Sequence, residues 1–103
     1  MKVVLLAGGG TGTEVYYHNS SRGDQKLAQE IVTEISSSTG LKNRGAKKFS
    51  YAVIRSTKSS IPSVLIETGF VDTKNDASII GSASGQDKIA NSITKGVLDY
   101  YGK

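Results

Sequence analysis

The 103-residue chain contains no cysteine and no tryptophan, and it has one proline and one histidine. Without cysteine, disulfides, thiolate nucleophiles and thiolate metal sites are all excluded. Seven aromatic residues, all Phe or Tyr, leave a core built mainly from Ile, Val, Leu and Ala. No apolar run approaches the roughly 18 residues that a membrane-spanning helix needs, so no membrane partner is expected. The opening run, Met1-Lys2-Val3-Val4-Leu5-Leu6-Ala7, is too short for the apolar region of a signal peptide and runs into Gly8-Gly9-Gly10. It reads as a strand and a turn, which leaves localisation open.

Acidic residues are also missing from one long interval. Between Ile35 and Ile66 there is no Asp or Glu, yet Lys42, Arg44, Lys47, Lys48, Arg55 and Lys58 all fall there, within a net charge of +4. Such a patch attracts polyanions, among them nucleic acid, teichoic acid and peptidoglycan carboxylates, or it simply keeps a surface soluble. Nucleic acid is not expected, because no aromatic residues interleave with the patch and no recognition helix is basic.

What is present fits one small α/β domain, since a chain of this length buries a single modest core. Its organising stretch is Ile61-Pro62-Ser63-Val64-Leu65-Ile66-Glu67-Thr68-Gly69-Phe70-Val71-Asp72. A short β-branched run entered from proline predicts a central strand. Glu67 is expected to close it. A carboxylate there is costly to desolvate without a partner or a task, unless it reaches solvent where the strand ends.

Strands are expected over residues 2–7, 13–17 and 51–55. Leu27, Ala28, Ile31, Val32 and Ile35 recur at helical spacing and predict a helix over 22–37, stopped by Gly40 in a left-handed cap. Residues 41–48 read as a basic loop. A short helix is expected over 73–80, and a final one over 86–101, with Ser84 and Asp87 at the spacing of a capping box. The order predicts a sheet packed by helices. The Gly8–Gly12 turn lacks the Gly-Lys-Ser/Thr ending of a phosphate loop and is followed by a strand, so nucleotide binding is not expected.

Several words in this order and spacing resemble one family. Gly-Thr-Gly-Thr-Glu-Val-Tyr-Tyr at 10–17, Lys-Leu-Ala at 26–28, Asn-Arg-Gly-Ala-Lys at 43–47, Tyr-Ala-Val-Ile-Arg at 51–55 and Pro-Ser-Val-Leu-Ile-Glu-Thr-Gly-Phe-Val at 62–71 are similar to the zinc-dependent N-acetylmuramoyl-L-alanine amidases. That family includes sporulation amidases and phage endolysin domains. The resemblance implies an α/β domain with a mostly parallel sheet and hydrolysis of the amide joining N-acetylmuramic acid to L-alanine in peptidoglycan. It covers the later part of the family's domain, so residues 1–103 are expected to form its C-terminal portion.

By this resemblance Glu67 matches the family's catalytic glutamate. Val4 stands where a zinc-ligand histidine would fall, and the other two ligands have no counterpart. No metal is therefore expected in this chain alone, and the chain alone is expected to be inactive. Zinc polarises the amide and activates water only when about three protein ligands hold it. His18 and Glu14 share a strand face by parity and make at best a two-ligand alternative. Arg44, Lys47 and Arg55 are the expected substrate-binding residues, Arg55 alternatively pairing with Glu67. The other reading is a non-catalytic wall-binding or self-associating fragment. A sheet cut open at residues 2–7 would expose a backbone edge, which predicts self-association.

Overall fold

The computed structural model describes residues 2–6, 10–18, 23–51, 54 and 61–103. Four strands form one sheet: β1 (Lys2–Leu6), β2 (Thr13–Tyr17), β3 (Asn43–Lys48) and β4 (Val64–Phe70). Three helices accompany them: α1 (Asp24–Thr39), α2 (Lys74–Ile80) and α3 (Ala83–Tyr100). The strand order is β1-β4-β2-β3. β4 pairs parallel with β1 and antiparallel with β2, and β2 pairs parallel with β3. The sheet is mixed, with β4 in its interior and buried along its whole length.

Alternation along the strands divides the sheet into two faces. On one face Val15, Val64 and Ile66 meet the Leu27, Ala28, Ile31, Val32 and Ile35 stripe of α1, together with Ile89 of α3. This is the core. α1 starts after Gly23, and the buried Asp24 in its first turn accepts a bond from Ser63 N at 3.0 Å, tying the helix to the start of β4. It ends at Gly40, whose φ of 78° forms the expected left-handed cap. α3 crosses α1 at Gly96, where an added Cβ would lie 2.9 Å from Ile31 Cα.

Four expectations need correction. Residues 43–48 are not a loop but β3, because pairing with β2 satisfies their backbone despite a basic, glycine-containing sequence. Of the strand expected over 51–55, Tyr51 has no regular structure and Ile54 is helical, while residues 52, 53 and 55 lie outside the described residues. The cap of α3 is Ser82, whose side chain accepts from Gly85 N at 2.9 Å, so Ser84 already lies inside the helix. Glu67 does not close the central strand, which continues to Phe70 with Glu67 in its middle.

Candidate active site

The face of the sheet turned away from the core carries the ionisable residues. In the antiparallel ladder Glu14 pairs with Glu67, and Tyr16 with Leu65. Paired positions project to the same side, so the two carboxylates face one another. Both are buried, Glu14 at 2% and Glu67 at 6% exposure. Thr13 Oγ1 donates to the Glu67 carbonyl at 2.9 Å and Thr13 N to Lys42 O at 2.8 Å, fixing the backbone around the pair.

Burying two like charges across a ladder is unfavourable unless one is compensated. The compensation comes from β3 and rests on an irregularity. Thr13 pairs with Asn43 but Val15 with Ala46, so Glu14 alone stands opposite Arg44 and Gly45. Gly45 sits at φ 88°, a left-handed conformation suited to glycine in a bulge, and its N–H donates to Asn43 Oδ1 at 2.8 Å. The bulge brings Arg44 Nε to 2.7 Å from Glu14 Oε1, with Lys47 Nζ 3.5 Å from Oε2. The Arg44 guanidinium also lies 5.3 Å from the centre of the Phe70 ring.

These surroundings separate the two carboxylates in proton affinity. Burial alone would raise Glu14, but the neighbouring Tyr16 hydroxyl, the hydrogen bond from Arg44 and the charges of Lys47 and Arg44 outweigh it and hold Glu14 below the ordinary range. Among the described residues Glu67 has no such bond. Burial, and then the negative Glu14, push it up to about 7 against weaker pulls from Lys47 and Arg44. The Tyr16 phenol is raised well above its ordinary range by burial, by the neighbouring Glu14 carboxylate and by the Glu67 charge, so it keeps its proton. A charged carboxylate beside one that changes protonation near neutral pH is an arrangement suited to general acid–base chemistry.

A third carboxylate braces the site. Asp76 of α2 is fully buried and accepts from Thr11 Oγ1 at 2.9 Å, Gly12 N at 2.8 Å and Phe70 N at 3.1 Å. It joins the turn leading into β2 to the end of β4. Thr73 Oγ1 donates to Gly10 O within the same junction.

The expected site residues divide accordingly. Glu67, Arg44 and Lys47 come together around Glu14, and Arg55 lies outside the described residues. Glu14 as the partner of Glu67, Tyr16 as its neighbour and Asp76 as the brace were not anticipated. His18 does not join Glu14: four residues along a strand is about 13 Å, too far for one metal ion. Among the described residues no three His, Asp or Glu side chains are grouped to hold a metal. Arg44 bonds Glu14 Oε1, Lys47 Nζ stands 3.5 Å from Oε2, which is buried and accepts no hydrogen bond among the described residues, and position 4, the register partner of Glu67, is valine. This donor set does not fit a three-ligand zinc centre.

The model of the Amidase_3 family, described as N-acetylmuramoyl-L-alanine amidase, matches residues 6–99. The N-acetylmuramoyl-L-alanine amidase LytC of Bacillus subtilis is 35% identical over 92 residues, covering 87% of this chain and 18% of LytC. The uncharacterized protein YqiI of the same organism is 38% identical over 93 residues, covering 88% of this chain and 44% of YqiI. The crystal structure of an N-acetylmuramoyl-L-alanine amidase from Clostridium difficile 630 superposes with a TM-score of 0.88 at 32% identity, covering 98% of this chain and 56% of that one. The chain thus spans less than half the length of these two curated relatives.

Proposed function

The chain belongs to the N-acetylmuramoyl-L-alanine amidase family, and on that premise we propose that it is the C-terminal portion of a peptidoglycan amidase domain in which Glu67 carries the proton. The substrate bond is the amide between the lactyl group of N-acetylmuramic acid and the L-alanine of the stem peptide. Glu67 takes a proton from the attacking water and delivers it to the leaving amine nitrogen. The observation carrying this reading is the burial of Glu67 opposite Glu14, which leaves it exchanging its proton at about pH 7. Glu14 stays ionised under Arg44 and Lys47. Both cations keep part of their side chains in solvent, which supports a second task for them in meeting substrate carboxylates. Arg55 is kept as a third candidate for that task.

The family is zinc-dependent. The described residues do not supply a zinc ligand set, and the isolated chain is expected to be hydrolytically silent. The test is a chimera in which residues 6–99 replace the matched stretch of LytC. It should release amino ends from purified peptidoglycan, and Glu67→Gln within it should lower the rate by about 10²–10⁴-fold with the fold retained. Normal turnover by the Glu67→Gln chimera would remove Glu67 from the mechanism.

A second reading, self-association without catalysis, is favoured by β1. Among the described residues this strand pairs only with β4 and ends the sheet. Val3 is 48% exposed beside an apolar cavity of about 360 Å³ lined also by Thr68, Ile80, Ile89 and Ile93. An open edge next to apolar surface invites a second copy. Light scattering across a dilution series should show a dimer or larger species, and a monomer throughout would count against it.

A further inference from the structure

Three aromatic rings stand together where β2 and β3 end. Tyr16 meets Tyr51 edge-on with ring centres 5.2 Å apart and Phe49 edge-on at 6.2 Å, while Phe49 and Tyr51 lie 4.5 Å apart and tilted by only 37°. The cluster is held in place by its backbone: Phe49 N donates to Tyr17 O at 3.0 Å, and Ile54 N to Tyr51 O at 3.1 Å. Phe49 nevertheless leaves 53% of its surface in water. A fixed aromatic surface kept exposed, in a chain with so few aromatics, marks a contact surface better than a packing need.

The cluster is continuous with the acid pair. Tyr16 is two residues beyond Glu14 on the same face, about 7 Å along the strand, and its hydroxyl helps to hold the Glu14 carboxylate below its ordinary range. Lys47 is the register partner of Tyr16 and also reaches Glu14. A substrate whose amide lies at Glu67 therefore has one flank over Tyr16, Phe49 and Tyr51, at a spacing of about one sugar ring. The two flanks of that amide differ: one is a pyranose with an apolar C–H face and a polar rim, and the other is a peptide of small and carboxylate-bearing residues. A shallow aromatic wall that carries tyrosine hydroxyls at its rim matches the first.

Resting on the peptidoglycan reading above, we propose that Tyr16, Phe49 and Tyr51 form the binding subsite for the pyranose ring on the sugar side of the scissile amide. The rings stack on its C–H face.

The test is titration of the 103-residue chain with an N-acetylglucosamine–N-acetylmuramic acid disaccharide, with free stem peptide and with a single-stranded oligonucleotide, followed by ring ¹H–¹³C signals. The disaccharide should shift the Tyr16, Phe49 and Tyr51 signals. Phe49→Ala should weaken it by about fivefold or more, Phe49→Tyr should restore binding, and Leu98→Ala, on exposed surface of α3, should bind as the parent does. Disaccharide binding with silent rings or an unaffected Phe49→Ala overturns the subsite alone. Ring shifts caused by peptide or oligonucleotide and not by disaccharide overturn it in favour of those ligands. No binding of disaccharide or stem peptide anywhere on the chain overturns the subsite together with the peptidoglycan reading.

Discussion

Glu14 and Glu67 are register partners in the antiparallel ladder between β2 and β4, both buried, and among the described residues only Glu14 has cations within bonding reach. The asymmetry follows from the bulge at Arg44 and Gly45, which directs a guanidinium to one carboxylate of the two. Charge is thereby fixed on Glu14, and the proton is left on Glu67.

This pairing makes stability depend on pH in a predictable direction. Folded Glu67 keeps its proton up to about pH 7, against an ordinary value of 4.5. Between those values the folded chain binds more protons than the unfolded one, so the contribution present below about 4.5 is lost as pH rises through about 7. The loss is on the order of 2 kcal/mol after allowance for solvent screening. Glu14, lowered by its partners, contributes in the opposite sense, adding stability above the ordinary value that is lost in acid. Glu67→Gln should therefore melt higher than the parent at about pH 8 and alike at about pH 4. An equal difference at both would contradict the assignment.

Asp76 answers three donors at once, two of them backbone N–H groups buried between the turn and β4. Asp76→Ala strands them and should cost about 2–4 kcal/mol in a denaturant titration. Asp76→Asn keeps one acceptor oxygen and should cost less. If the alanine variant loses nothing, the junction is not the brace described.

Gly96→Ala tests the contact between α1 and α3. Its new methyl would fall 2.9 Å from Ile31 Cα, a backbone atom that cannot turn aside. The gain in helix propensity is outweighed by overpacking, and a net loss of about 1–3 kcal/mol is expected. A stabilised variant would show that the helices stand farther apart.

Much of the fold was legible in the residues. The α1 stripe, its Gly40 cap and the β-branched run of β4 signal their structures locally, and they appear where expected. β3 was not legible, because Asn43-Arg44-Gly45-Ala46-Lys47-Lys48 has loop composition and becomes a strand only through its ladder with β2. Glu67 was legible as an isolated costly carboxylate and by its resemblance to a family word. Its partner was not: Glu14 lies 53 positions away, and only antiparallel register brings the two together. The aromatic cluster was missed for a similar reason, since Tyr16 lies on β2 while Phe49 and Tyr51 follow the end of β3.

The central claim is that Glu67 is a proton carrier near neutral pH because it is buried and faces the ionised Glu14. The direct measurement is the titration of the Glu67 side-chain carboxyl by ¹³C chemical shift, in the parent chain and in Glu14→Gln. A midpoint near 7 in the parent, falling clearly in Glu14→Gln as the negative neighbour is removed and Arg44 and Lys47 are left to favour the anion, is the predicted result. A midpoint at an ordinary carboxylate value in the parent, or one that Glu14→Gln leaves unmoved, would contradict it.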